Sequence, residues 1–216
     1  MRSVGLLLRR DLAVLMAGGG VVLPMAFFLA VAVLFPFAVG PDAELLARTG
    51  GGVIWIAALL AAILPLDRLV AVDMERGTLD QLALRGMSEE AFALIRVTAH
   101  WLSFAPLLLL ATVIAATLLN LSGGQLRLLL LGLLAGTPGL AAAGVMIAAL
   151  TASLRTGPAL AGLLFLPLTV PLLIFGAGSL ARMDHAAVGV TGAISLALLA
   201  VAPFAVGAAI RAGREG

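Results

Sequence analysis

Residues 128–154 have the sequence LLLLGLLAGTPGLAAAGVMIAALTASL, which contains no Asp, Glu, Lys or Arg. A membrane-spanning helix needs about 20 apolar residues to cross the hydrocarbon core, and this stretch exceeds that length. Transmembrane β-strands would alternate apolar and polar residues, which this stretch does not. Five further charge-free stretches are long enough to cross once: Leu12–Pro41, Thr49–Leu66, Val97–Leu126, Thr156–Ala181 and His185–Ile210. The sequence therefore predicts an all-α, polytopic bundle of six membrane-spanning helices.

The composition supports this fold class and excludes several others. The chain has 216 residues, of which 62% are hydrophobic and 11% are charged, against about 25% charged in an ordinary soluble domain. The absence of Cys excludes disulfide scaffolds and thiol enzymes. A net charge of +2 gives no argument for binding nucleic acid. The first apolar stretch is too long for a signal peptide and lacks a cleavage site, so we expect it to be retained.

The arginines predict the orientation, because cytoplasmic loops are enriched in basic residues. The expected spans are about 21–40, 49–66, 100–121, 128–152, 158–180 and 187–210. With a cytoplasmic N-terminus, ten arginines lie inside: Arg2, Arg9, Arg10, Arg68, Arg76, Arg85, Arg96, Arg155, Arg211 and Arg214. Only Arg48, Arg127 and Arg182 lie outside. Both termini are therefore predicted to be cytoplasmic.

Residues 1–16 have the pattern of an amphipathic helix. The apolar side contains Val4, Leu7, Leu8, Leu12 and Leu15, and the polar side contains Arg2, Arg9 and Arg10. Such a helix lies flat on a membrane surface. Asp11 does not fit the pattern, and the alternative is a first span that extends into the cytoplasm. The glycines at positions 18–20 favour the interfacial helix, because they allow the chain to turn into the bilayer.

Residues 67–96, called the elbow below, join the second and third spans and contain six of the eleven acidic residues. Thr78 and Gln81 match a capping box, which predicts a short helix from Leu79 to about Leu84. Gly86 would end that helix. Ser88 would cap a second helix, with Glu89 and Glu90 in its first turn, that continues past Arg96 into the third span. A compact cytoplasmic elbow that docks a partner and a solvated connection both remain open at this point.

Prolines and glycines within the spans are candidate hinges. Pro167 and Pro171 flank Thr169, so the fifth span is expected to be kinked or locally unwound. Gly136 and Pro138 are expected to interrupt the fourth span. Broken helices can mark a substrate route, although prolines can also merely shape a bundle. No charged residue lies inside a span, so the sequence has no evident ion-coupling site.

Catalytic and metal-binding residues are not evident in this sequence. There is no Walker A motif and no Lys, so the chain is not expected to hydrolyse ATP by itself. Residues 176–179, Gly-Ala-Gly-Ser, resemble an intramembrane serine protease nucleophile only loosely. His100 and His185 are predicted on opposite membrane faces. A structural role is favoured for each, although His185 could in principle ligate a haem iron.

Several segments resemble the haem exporter protein B (CcmB) family of cytochrome c maturation. The matching segments are FPFAVGP at 35–41, LLAR at 45–48, GVIW at 52–55, LDRL at 66–69, DMERGTLDQL at 73–82, AHW at 99–101, GTP at 136–138 and LPLTVPLLIF at 166–175. They fall in five of the six spans and both main loops. The elbow also resembles that of type-2 ABC exporter membrane subunits, in which the N-terminal helix and this loop face the ATPase. Family members commonly have prolines after the short helix, whereas residues 85–88 here are Arg-Gly-Met-Ser.

The resemblance implies a bacterial inner-membrane permease subunit that works with a separate ATP-binding subunit. Further implied partners are a haem-handling membrane protein and a periplasmic haem chaperone, and a second copy of the chain is compatible with it. ATP would be bound by the partner subunit and haem by partner proteins, with no cofactor held by this chain. The family leaves open whether haem itself is moved or the haem-loaded chaperone is released.

Together these observations predict a device that transmits force from the ATPase. The expected docking residues are Asp73, Glu75, Arg76, Gly77, Thr78, Leu79, Asp80, Gln81 and Leu82, and the expected hinges are Gly136, Pro138, Pro167 and Pro171. Leu79 and Leu82 would fill an apolar groove on the ATPase, and the acidic residues would pair with its Arg or Lys. The alternatives are an exporter of lipid, drug or polysaccharide, a non-transporting scaffold, and a protease that uses Ser179.

Overall fold

The computed structural model describes residues 2–17, 20–154 and 157–215, and the regular elements in these ranges are all helices. In chain order they are α1 (Arg2–Ala17), α2 (Val22–Val39), α3 (Ala43–Ile63), α4 (Leu66–Leu69), α5 (Ala71–Glu75), α6 (Thr78–Leu84), α7 (Glu89–Leu118), α8 (Gly123–Thr151), α9 (Gly157–Arg182) and α10 (His185–Glu215). Among them, α2, α3, α7, α8, α9 and α10 are long and apolar enough to span a membrane. The predicted all-α bundle of six spans is confirmed. Gly18 and Gly19 of the predicted turn lie outside the described residues.

Helix α8, which contains the stretch quoted above, is the centre of the bundle. It packs against α7, α9 and α10. In its apolar segment 72% of the residues are buried, against 17% in that of α2. Small residues line its packing faces, as is usual where membrane helices approach closely. A Cβ added at Gly139 would lie 2.8 Å from the Cα of Ser195 in α10. The contact between α8 and α10 therefore depends on a glycine at position 139.

Trp55 of α3 fills the space between α8 and α9. Its side chain is fully buried, and glycines of both neighbouring helices make room for its ring. A Cβ at Gly176 would lie 2.2 Å from Trp55 Cζ2, and a Cβ at Gly136 would lie 2.5 Å from Trp55 Cη2. Real Cβ contacts are not that short, so any side chain at either glycine displaces the indole. Gly136 thus makes room for Trp55, a packing role that its position two residues before Pro138 does not indicate.

Polar side chains cap the helices that begin outside the apolar spans. Asp42 accepts hydrogen bonds from the backbone N–H groups of Glu44 and Leu45, both at 3.0 Å, and starts α3. Ser88 accepts from the N–H of Ala91 at 3.2 Å and starts α7. The predicted Ser88 cap, and its helix continuing into the third span, are confirmed.

The capping box predicted at Thr78 and Gln81 is wrong. Gly77, with a φ of 65°, is the N-cap of α6, so Thr78 is already the first helical residue and its side chain caps nothing. The backbone passes from α5 to α6 through a left-handed conformation, which glycine adopts without steric cost. The capping box that the structure does contain joins Ser122 and Gln125 at the start of α8.

Gly86 ends α6 as predicted. Its φ is 79°, its N–H donates to the carbonyl of Ala83 at 2.9 Å, and the Met87 N–H donates to the carbonyl of Leu82 at 3.1 Å. This pair of bonds is a Schellman motif. A glycine therefore provides the exit from the elbow.

The predicted interruption of the fourth span is wrong, because α8 is continuous through Pro138. The fifth span is not unwound either, because α9 is continuous through Pro167 and Pro171, whereas a kink there stays a prediction. A membrane helix tolerates proline when its neighbours and side chains compensate for the lost backbone bonds. Thr169, between the two prolines of α9, donates its hydroxyl to the carbonyl of Phe165 at 2.8 Å, so this buried polar group is paired within the span. A role for these positions in motion stays a prediction.

Candidate coupling site

One end of the bundle, called the coupling end below, gathers three segments that are far apart in sequence. They are α1, the elbow, and the C-terminal part of α10. Arg10 of α1 pairs with Asp73 of α5 across 2.6 Å, and Arg214 of α10 pairs with Asp80 of α6 across 2.9 Å. The elbow therefore lies at the same end of the bundle as both described chain ends.

A buried ion cluster connects α1, α5 and α7. Arg96 of α7 lies between two carboxylates: its Nη2 contacts Oδ2 of Asp73 and lies 3.4 Å from Oδ2 of Asp11. Asp11, Asp73 and Arg96 are 2%, 5% and 2% exposed. Arg10 completes the cluster from the surface, because it contacts Asp73 at 2.6 Å and lies 3.9 Å from Asp11. Two arginines thus neutralise two aspartates at the junction of three helices.

The cluster is an anchor with little tolerance for change. The pKa of the Asp11 carboxyl lies above its ordinary value because burial disfavours the charged form, and the nearby Arg96 and Arg10 offset only part of that effect. The Arg96 guanidinium also lies 5.1 Å from the centre of the Phe92 ring, a favourable cation–π distance. Removal of one charge from such a buried set leaves another uncompensated, which typically costs about 3–5 kcal/mol.

A second, exposed set of ion pairs holds α10 to the elbow. Arg214 contacts Glu89 at 2.6 Å in addition to Asp80, and Arg211 contacts Glu90 at 3.0 Å. Exposed pairs contribute up to about 1 kcal/mol each. Their main effect here is to position α10, because they join its last turns to both α6 and the start of α7.

The structure separates the predicted docking residues into two groups. Asp73 and Leu79 are both 5% exposed and are buried within this chain. Asp73 is therefore not available to pair with a partner's charge, and Leu79 is not available to fill a partner's groove. Leu82 is half-buried, as are Gly77 and Thr78. Glu75, Arg76, Asp80 and Gln81 are exposed. The exposed members of the predicted docking set are therefore all polar.

Sequence analysis missed the most exposed apolar group of the elbow. Leu84, in the last turn of α6, is 88% exposed. Beside it, a groove of 360 Å³ lies between α1 and the exit of the elbow, lined by Leu6, Leu7, Arg10, Leu82, Arg85, Gly86 and Met87. Leu82 thus lines a groove on this chain, whereas Leu84 of the same helix is exposed outside that groove.

The two histidines and Ser179 were the remaining candidates for catalysis or metal binding. His100 is 1% exposed, with its ring 4.9 Å from that of Phe104, and His185 is exposed at the start of α10. Ser179 is fully buried and donates its hydroxyl to the backbone carbonyl of Gly176 at 2.7 Å instead of to a general base, which does not support a protease. Among the described residues, no three His, Cys, Asp or Glu side chains are grouped as metal ligands would be.

Asp11 and Arg96 are the residues of the buried ion cluster that sequence analysis undervalued. Asp11 was an exception on the face of an amphipathic helix, and Arg96 was the last charge before a long apolar stretch. Each irregularity was a signal, because a charge among apolar residues is usually paired when buried. The partner could not be read from the sequence, since Arg96 contacts residues 85 and 23 positions away.

Six helices able to span a membrane, with an ion-paired elbow at one end, define a polytopic helical membrane protein. The comparisons with known proteins are more specific. The family model described as CcmB protein matches residues 2–213. The chain is 44% identical over 211 residues to heme exporter protein B of Rhodobacter capsulatus, covering 95% of this chain and 97% of that protein. It is 45% identical over 211 residues to heme exporter protein B of Paracoccus denitrificans, with the same coverage.

A more distant relative agrees: heme exporter protein B of Escherichia coli K12 is 40% identical over 196 residues, covering 87% of this chain and 88% of that protein. The chain therefore belongs to the CcmB family, as its sequence segments indicated. It is a multi-pass bacterial membrane protein and, as a member of this family, a membrane permease subunit of a transporter.

Proposed function

We propose that this protein is the permease subunit of an ABC transporter complex for cytochrome c maturation. It would couple ATP hydrolysis by a separate subunit to haem export and delivery, or to release of the haem-loaded chaperone. The relatives named heme exporter protein B support the pathway. The observation that carries the coupling role is the buried Asp11–Arg96–Asp73 cluster, which joins the elbow to α1 and to a membrane-spanning helix.

The proposed transmission follows the contacts. A push on α6 passes to the adjoining α5 and from there to α7 through Asp73 and Arg96, and it reaches α10 directly through Asp80 and Arg214. Both α7 and α10 pack against the central helix α8. Bending at Gly136, Pro138, Pro167 and Pro171 within α8 and α9 would absorb the displacement. The elbow would thus act as a lever attached to two spans at once.

In this proposal the chain itself is not catalytic. ATP is bound by the partner subunit, and haem is handled by a membrane protein and a periplasmic chaperone of the same pathway, with no cofactor on this chain. Purification in mild detergent tests this. We expect an ATP-binding subunit and haem proteins to accompany the chain, and deletion of its gene to abolish all c-type cytochromes. Normal cytochromes combined with another transport defect would instead identify an exporter of a different substrate.

The orientation is also part of the proposal, because ten arginines on the elbow side against three predict that this side is cytoplasmic. The chain has no cysteine, so single Leu84→Cys and Glu44→Cys variants give unambiguous labelling. In intact spheroplasts we expect a membrane-impermeant maleimide to label Glu44→Cys and to label Leu84→Cys only after permeabilisation. The reverse pattern would show that the elbow is periplasmic and cannot meet a cytoplasmic ATPase.

Leu84 is the expected apolar anchor for the ATPase. A Leu84→Asp substitution should weaken binding of the ATP-binding subunit by about thirtyfold or more, because loss of one interface anchor costs about 2 kcal/mol. The measurement is pull-down of the ATPase at graded concentrations. Leu154→Asp is the matched control, since Leu154 is 48% exposed and follows α8 on the same side of the predicted membrane. Full retention of the ATPase by Leu84→Asp would refute the docking assignment.

A further inference from the structure

A separate cavity of 240 Å³ lies at the coupling end on the other side of the ion cluster. Four arginines line it, contributed by different elements: Arg10 by α1, Arg68 by α4, Arg76 by the end of α5, and Arg96 by α7. Asp73 is the single carboxylate in its wall. Such a concentration of guanidinium groups is suited to a phosphate, which arginine binds in a bidentate manner.

Two further carboxylates lie behind the cavity wall: Asp11 is 3.4 Å from Arg96, and Asp67 is 4.0 Å from Arg68. Asp73 pairs with both Arg10 and Arg96. Arg76 is exposed and makes no ion pair with any carboxylate among the described residues. A phosphodiester, with one negative charge, would neutralise Arg76.

The remaining wall of the cavity is apolar and includes Pro65, which follows the spanning helix α3 by two residues. Val14, Leu15, Pro65 and Val72 line it beside the arginines. Helix α1 also leaves Leu6, Val14 and Met16 more than half exposed, as is typical of a helix whose apolar face is in contact with lipid. The volume corresponds to about eight water molecules, which exceeds a single phosphate. The cavity thus has a polar part for a headgroup and an apolar part for the start of an acyl chain.

We propose that this cavity binds the headgroup of an anionic phospholipid, with Arg68 and Arg76 as ligands from the elbow and Arg10 as a ligand from α1. The lipid would hold the interfacial helix against α4 and α5. Basic pockets beside membrane helices commonly bind anionic headgroups. The site lies on the α4–α5 side of the elbow and does not include Leu84, and it assigns Arg76 of the predicted docking set to the lipid instead of the ATPase.

The test uses the purified full chain in neutral detergent, with the thermal unfolding midpoint measured during titration with phosphatidylglycerol, phosphatidylcholine or free glycerol phosphate. We expect phosphatidylglycerol alone to raise the midpoint. The double variant Arg68→Gln, Arg76→Gln should bind it about thirtyfold more weakly, since each arginine near an anionic surface contributes about 1 kcal/mol. Arg85→Gln, an exposed arginine of the same elbow outside the cavity, should behave as the unmodified chain.

Several outcomes would overturn the proposal. An equal effect of phosphatidylcholine would show that no anionic site exists, and an equal effect of glycerol phosphate would identify a soluble anion as the ligand. Equal weakening in Arg85→Gln would indicate general charge attraction. The elution volume in size-exclusion chromatography shows whether each variant is folded, and a folded double variant with unchanged affinity would remove Arg68 and Arg76 from the site.

Discussion

Replacement of Arg96 by Met is expected to lower the thermal unfolding midpoint by on the order of 10 °C in detergent. Met retains the length of the side chain but leaves Asp11 without its 3.4 Å partner and Asp73 with Arg10 alone. A buried charge that loses its partner costs about 3–5 kcal/mol, and for a chain of this size each kcal/mol shifts the midpoint by about 2–4 °C. Fluorescence-detected size-exclusion chromatography after heating measures the shift.

The control for this prediction is Arg211→Met. Arg211 is exposed and pairs with Glu90 at the same end of the bundle, so its loss should cost at most about 1 kcal/mol. A second variant separates charge from packing: replacing Asp11, Asp73 and Arg96 together with Leu should restore most of the lost stability, because an apolar set has no uncompensated charge. Equal midpoints for Arg96→Met and Arg211→Met would show that the cluster is not an anchor.

The second large effect is expected where Trp55 packs between α8 and α9. Trp55→Ala should cost about 3–5 kcal/mol, because it empties a fully buried site. Gly176→Ala should cost about 1–3 kcal/mol by overpacking, since its Cβ would lie 2.2 Å from the indole. Both should lower the unfolding midpoint in the same assay.

A double-mutant cycle makes this prediction specific. In a Trp55→Leu background, Gly176→Ala should cost less than in the unmodified chain, because the atom that it would strike is gone. Gly52→Ala in α3 is the matched control, since its Cβ would meet nothing within 4 Å; it should be neutral or slightly stabilising. If Gly176→Ala costs the same in both backgrounds, the glycine does not serve to accommodate the tryptophan.

Much of the architecture follows from local pattern. The six apolar stretches each became a helix that can span a membrane, since length and hydrophobicity suffice for that outcome. The Ser88 cap and the Gly86 helix end were also predictable, because each depends on neighbours within a few residues. Thr78 shows the limit even of local reasoning, since Gly77 took the cap position in a left-handed conformation.

At the coupling end, the sequence pattern could not predict which apolar side chains are buried and which are exposed. Leu79 looked like an anchor for a partner but is buried in its own chain, whereas Leu84 is the residue that projects. A short amphipathic helix has an apolar face in either case, and only the position of neighbouring helices decides whether that face is covered. Gly136 likewise looked like a hinge residue and proved also to make space for Trp55.

Sequence alone determined that this chain is a six-span helical membrane protein of the CcmB type with an elbow after its second span. Hydrophobic length and helix signals are properties of contiguous residues, so they can be read from one chain. Only the tertiary structure decided that Asp11, Asp73 and Arg96 meet, and that four arginines surround one cavity. Those contacts arise from the packing of α1, α5 and α7, and charges distant in sequence become partners only when that packing removes them from water.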